Sequence, residues 1–174
     1  MARGLLSMAA VLHAEPQTER GWIMKVKELM STDVKTVRED ADLSTATKLM
    51  WDGDCGIVPV VNDDRQVIGV VTDRDICIAA ATRSMNPNHI RVGDVMSRTV
   101  FTVAESDDAR QALSALKDRR VRRLPVVDRQ RRLVGVISLS DLVARAECKR
   151  DAEIPGEEFL DALKAISARA VPVG

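Results

Sequence analysis

Apolar and polar positions along this chain switch between two periods, and the switching pattern occurs twice. Val34, Thr36 and Val37 form a short β-branched segment. Asp42 follows as a helix cap, after which Leu43, Ala46 and Met50, with Thr47, recur at the spacing of one helical face. Residues 57–61 are a continuous apolar run that suits a buried strand. Residues 62–66 are a polar turn, and 67–71 a second buried strand. Thr72 then opens another helix running through Ile76, Ile78 and Ala79. The predicted unit is β-α-β-β-α. It returns as residues 100–103, 108–117 (Asp108 as cap, with Ala109, Ala112, Leu113 and Leu116 apolar), 124–127, 133–137 and 138–146.

The two units align at an offset of 66 residues without a gap. Over the 51 pairs that match residues 26–76 with 92–142, 17 are identical, among them Met30/Met96, Thr36/Thr102, Asp42/Asp108, Pro59/Pro125, Gly69/Gly135 and Asp75/Asp141. Each copy is too small to bury its own apolar face, so two copies are expected to pack about a pseudo-two-fold axis. A groove between them sees two related walls, which favours a ligand-binding module over a catalyst. The expected organisation is a leader at 1–23, one motif at 24–82, a linker at 83–91 around Pro87, a second motif at 92–146 and a tail at 147–174. In the tail, Pro155-Gly156 breaks the chain. Glu157 and Glu158 then favour a helix N-terminus, and Phe159, Leu160, Leu163 and Ile166 give that helix an apolar face.

Composition narrows the class. Lys+Arg and Asp+Glu balance at 26 each, so no global nucleic-acid or membrane signature is present. The balance hides an asymmetry: residues 26–76 carry 6 basic and 11 acidic side chains, residues 92–142 carry 10 and 7. Cys55, Cys77 and Cys148 lack metal-ligand spacing and read as reduced thiols of a cytoplasmic protein. With only His13 and His89, neither a metal cluster nor a histidine-based triad is expected. Residues 4–12 faintly resemble a signal peptide. The segment is short, however, and Leu12 stands where a small residue should precede cleavage. The favoured reading of 1–23 is a disordered leader before a true start at Met24.

The residues 56–61 (Gly-Ile-Val-Pro-Val-Val) and 69–76 (Gly-Val-Val-Thr-Asp-Arg-Asp-Ile), repeated as 121–128 and 135–142, resemble the signature of the CBS (cystathionine-β-synthase) domain family. The resemblance implies an α/β (α+β) fold in which two motifs pair into one disc-like module, often a homodimer, with a C-terminal helix appended here. It also implies a regulatory role: adenosine-containing ligands bind in the clefts between motifs and their presence is signalled to an effector protein. No cofactor is required; an adenine nucleotide is the regulatory ligand.

Such a ligand needs an apolar slot, acceptors for ribose hydroxyls and donors for phosphate. The chain has no Tyr and only two Trp and two Phe, so an aliphatic slot is expected. Val34, Cys55, Gly56, Ile57 and Pro59 are its candidates in one copy, with Val100, Val121 and Pro125 in the other. Backbone near Thr36 and Thr102 could read the adenine edge. Asp75 and Asp141 suit ribose hydroxyls. Thr72 and Ser138, at helix N-termini, suit phosphate, with Arg74 a further donor replaced by Ser140 in the second copy. Arg120, Arg122 and Arg123 lead into the second-copy strand where the first copy has Asp54, Gly56 and Ile57, so a phosphate preference is expected there.

Each position also has a structural reading. Thr72-x-x-Asp75 and Ser138-x-x-Asp141 fit a capping signature that needs no ligand, and Pro59 and Pro125 could mark edge strands. A catalytic reading is weak, because the chain has no phosphate-cradling Gly-rich loop and no nucleophile elbow; the expectation is a non-enzyme. Two alternatives stay open. One is an interaction adaptor with vestigial clefts. The other is nucleic-acid binding through the arginines between Arg119 and Arg132, disfavoured because no aromatic platforms accompany them.

Overall fold

The computed structural model describes residues 24–146 and 154–168. The β-α-β-β-α unit is complete in the second repeat and lacks only its leading strand in the first, and short helices lead into each. α1 (Val26–Leu29) precedes α2 (Leu43–Asp52), the hairpin β1 (Ile57–Val61) and β2 (Val67–Thr72), and α3 (Asp73–Arg83). After 3-10 turns at Pro87–His89 and Val92–Asp94 come β3 (Val103–Ala104), α4 (Ala109–Arg119), β4 (Arg123–Val127), β5 (Leu133–Ser138) and α5 (Leu139–Ala146). α6 (Gly156–Ser167) ends the described chain.

The caps are where the sequence puts them. The Asp42 carboxylate accepts from the Thr45 amide at 2.8 Å, and Asp108 with Gln111 closes a full capping box. β1 pairs antiparallel with β2, and β4 with β5, in equivalent registers: Pro59 faces Val70 and Pro125 faces Val136. The leading β segment is shorter than expected. In the second unit it is the two residues of β3, parallel to β4; in the first it shrinks to a single bridge, Val37 to Val60. Val34 and Val100 lie outside the ladder, and each lines a cleft described below. The prolines are not on edges. β4 is the central strand of its sheet, and the Pro59 carbonyl accepts from the Val37 amide at 3.1 Å on the side of β1 away from β2.

Packing interlocks the two units. Val26 and Leu29, which open the first repeat, lie in the core of the second, beside Leu116, Leu124 and Ile137. Ile90, Val92 and Met96 lie in the core of the first, beside Leu43, Val58 and Val71. Backbone hydrogen bonds repeat the exchange. Val26 N–H donates to Asp107 at 2.9 Å and Val92 N–H to Ala41 at 2.8 Å. Ser31 and Val136 exchange bonds of 2.9 and 3.0 Å, as do Ser97 and Val70. Every one of these pairs maps onto its twin by the 66-residue offset, which is the pseudo-two-fold axis in contact form.

α6 docks on α4 within the same chain. Ala162 is fully buried, Ile154 nearly so, and Phe159 and Ile166 pack on the second core. Leu160 and Leu163, read from the sequence as part of the docking face, are half exposed; the helix presents Phe159, Ala162 and Ile166 inward instead. Ile78 of α3 is likewise exposed. The leader at 1–23 and Cys148 lie outside the described residues.

Candidate functional site

The hairpins end where helices begin, and that junction builds the site. At the end of β2 the Thr72 hydroxyl accepts from the Asp75 amide at 3.2 Å, and Asp75 Oδ2 accepts from the Thr72 amide at 3.0 Å and from its hydroxyl at 2.7 Å. Ser138 and Asp141 repeat the arrangement at 3.1, 2.8 and 2.6 Å. The capping reading is therefore realised in both copies. Both contacts of each carboxylate fall on Oδ2, so Oδ1 takes no part in them and stays available to a further donor.

Two cavities open at these junctions. Cleft 1, of about 580 Å³, brings together Thr72, Arg74, Asp75, Gly56 and Ile57 with Val100, Arg120, Val121, Arg122, Arg123 and Pro125. Cleft 2, of about 500 Å³, brings together Ser138 and Asp141 with Val34, Cys55, Ile57 and Arg123. Both volumes fall in the range of small-molecule sites. Each cleft takes its helix N-terminus from one repeat and its apolar wall from the other: Asp75 shares a cavity with Val100 and Val121, Asp141 with Val34 and Cys55. The clefts correspond by the 66-residue offset, Val70 to Val136, Thr72 to Ser138, Val121 to Cys55.

Three expected residues lie elsewhere. Pro59 is fully buried in β1, and Thr36 and Thr102 sit beyond Val34 and Val100 toward the sheet, away from both cavity linings. One residue was missed. Phe101 lines cleft 1 where the first repeat has Lys35, and the Arg119 guanidinium lies 4.5 Å from its ring centroid. A lone aromatic opposite a lysine in the repeat alignment was the available signal.

The clefts differ in charge. In cleft 1, Arg74, Arg120, Arg122 and Arg123 face Asp73 and Asp75. In cleft 2, Asp33, Asp52, Asp54 and Asp141 face Lys35 and Arg123. None of the four arginines of cleft 1 forms an ion pair with the described residues. Arg120 and its counterpart Asp54 both hold a left-handed backbone, φ 53° and 44°. For Arg120 this is the left-handed C-cap of α4, its amide donating to the Leu116 and Lys117 carbonyls. No group of three or more His, Cys, Asp or Glu among the described residues could hold a metal ion.

A family model for the CBS domain matches residues 26–82 and 92–147. The chain belongs to the CBS domain family. An uncharacterized protein of Methanopyrus kandleri is 34% identical over 88 residues, 51% of this chain and 45% of that protein, so the match spans less than half of it. Hypoxic response protein 1 of Mycobacterium tuberculosis is 29% identical over 116 residues, 67% of this chain and 80% of its own. The crystal structure of CBSX2 in complex with AMP superposes with a TM-score of 0.61 at 25% identity, covering 71% of this chain and 96% of that one. An inosine-5′-monophosphate dehydrogenase of Methanocaldococcus jannaschii, 31% identical, is matched over 71% of this chain but only 24% of its own length. The likeness to that enzyme covers about a quarter of its length. No helix among the described residues is long and apolar enough to cross a membrane.

Proposed function

We propose that this CBS pair is a regulatory sensor that binds adenosine-containing ligands in its two clefts and signals occupancy to an effector protein through a change of conformation. AMP, ADP, ATP, NAD and S-adenosylmethionine are the candidate ligands. The observation that carries the reading is the duplicated cleft: an aliphatic wall, a carboxylate with one oxygen to spare, and a hydroxyl at a helix N-terminus, built twice in the same relation. AMP in the related CBSX2 structure supports the ligand class. The chain performs no chemistry of its own in this reading and works in the cytoplasm.

A thermal-shift panel of the five ligands tests it. A ligand held at 100 times its dissociation constant adds roughly 2.7 kcal/mol of stability. If none of the five moves the transition, the adaptor reading replaces the sensor.

The assembly follows from charge. One acidic and one basic repeat favour a homodimer in which unlike faces meet, electrostatics setting orientation more than affinity. Light scattering should then report a dimer at micromolar concentration whose dissociation increases with salt. A monomer in low and high salt alike would exclude it.

A further inference from the structure

Arg123 stands where the two clefts meet. It contributes to the wall of both and forms no ion pair with the described residues. Without it, cleft 1 has a small excess of positive charge and cleft 2 a clear excess of negative charge, with Asp33, Asp52, Asp54 and Asp141 against Lys35 alone. Lys35 holds Asp33 at 3.0 Å, Lys48 holds Asp52 at 3.1 Å, and Ser138 holds Asp141 at 2.6 Å. Asp54 has no cationic partner among the described residues. The long, flexible side chain of Arg123 thus serves two clefts that make opposite demands on it, and the residue also borders a third cavity of about 620 Å³ beside Asp54 and Asp73.

We propose that Arg123 couples the clefts, so that a nucleoside phosphate in cleft 1 draws its guanidinium out of cleft 2 and favours a cationic nucleoside there over a second phosphate. This rests on the nucleotide reading above and adds a ligand class for each cleft and a sign for the coupling. A guanidinium engaged in two-pronged bonds to phosphate no longer offsets the carboxylates of cleft 2, whose negative potential rises. Binding linkage is reciprocal, so a cation in cleft 2 tightens phosphate binding in cleft 1 by the same factor. Two phosphorylated ligands compete for one arginine and weaken each other.

Calorimetry on the full chain decides this, with ATP as the anionic probe and S-adenosylmethionine, a sulfonium, as the cationic one. With ATP just saturating its tighter site, S-adenosylmethionine affinity should rise about fivefold or more. That factor should fall toward one in Arg123→Gln, which keeps polarity and the first three side-chain carbons but neither the charge nor the reach of the guanidinium. In the wild type it should shrink as salt is raised, because the coupling is electrostatic; this second readout does not depend on the variant folding. An unchanged factor in Arg123→Gln, a factor indifferent to salt, or simple displacement of one ligand by the other overturns the coupling alone. If neither probe binds the wild type, the nucleotide reading falls and the coupling with it.

Discussion

In both repeats one carboxylate oxygen closes a helix cap while the other takes no part in it, so under the proposed function Asp75 and Asp141 should register in two independent measurements. Without ligand, Asp75→Ala and Asp141→Ala each remove half of a capping box and should lower stability by about 1 kcal/mol in chemical denaturation. In calorimetry each should weaken adenosine-ligand binding at its own cleft by about 1.5–3 kcal/mol, the range for bonds to a charged acceptor. The crossed construction of the clefts specifies which one: Asp75→Ala acts on the cavity walled by Val100 and Arg120, Asp141→Ala on that walled by Val34 and Asp54. Lost stability with unchanged affinity and stoichiometry would reduce both residues to caps. Asp42 is a cap alone, and its carboxyl is held below the usual carboxylate range chiefly by the Thr45 amide, with the Thr45 hydroxyl adding to it. A depressed folded-state value contributes stability above the unfolded-state value and loses it as pH falls through the folded one. The stability gap between wild type and Asp42→Ala should therefore be full at neutral pH and close on acidification below about pH 4; a gap constant down to strong acid would contradict the cap. These side chains were legible in the sequence because capping leaves a four-residue signature. Phe101 was legible only as an exception, an aromatic opposite Lys35 in the repeat alignment; an isolated aromatic has no period, and its cavity alone shows what it faces.

Strands and long helices were legible for a physical reason: a strand covered on both faces is an unbroken apolar run, as at Ile57–Val61, and an amphipathic helix has a period. The leading segments failed both tests. α1 offers only Val26 and Leu29 as buried positions, too few to define a period, and its core partners lie in the other repeat. The repeated glycines show how those segments seat. A Cβ built on Gly69 would stand 2.5 Å from Met96 Sδ and 3.1 Å from the Ser97 carbonyl; on Gly135 it would stand 2.5 Å from Met30 Sδ and 3.0 Å from the Ser31 carbonyl. Each glycine is the space through which the other repeat's methionine reaches the hairpin. Gly69→Ala and Gly135→Ala should each cost about 1–3 kcal/mol by overpacking, although Ala ordinarily suits a strand better than Gly. Shortening the opposing side chain should recover part of the loss, so Gly69→Ala/Met96→Ala should be less destabilised than the two single changes add up to. Strict additivity in urea titrations would refute the contact. α6 makes a parallel case, since its inward face is set by Ala162: Ala162→Asp places an unpaired charge in that fully buried position and should release the helix from α4.

At the scale of the molecule, the exchange of leading segments decides how the protein unfolds. Neither repeat owns a complete core. The second core is closed by Val26 and Leu29 from the start of the first repeat, and the first by Val92 and Met96 from the start of the second, with Ile90 just before it. Opening one half removes buried side chains from the other, so the free energy of partial unfolding approaches that of global unfolding. Two halves joined only by a linker and a face-to-face contact would instead melt apart, and a sensor built that way could lose one cleft while keeping the other. The expectation here is a single transition in differential scanning calorimetry, with the calorimetric enthalpy equal to the van't Hoff enthalpy. The sharper check uses Val26→Ala and Val92→Ala, both at fully buried positions. Each should lower global stability by about 2 kcal/mol from lost burial and the cavity left behind. Each should shift the whole transition without splitting it, although each residue lies in one repeat by sequence and in the other by packing. A variant that melts in two steps, with the step belonging to the other repeat unmoved, would mean the halves are separable. A uniform shift would tie the two clefts into one cooperative unit, so that a ligand bound in either is felt by the structure that forms both.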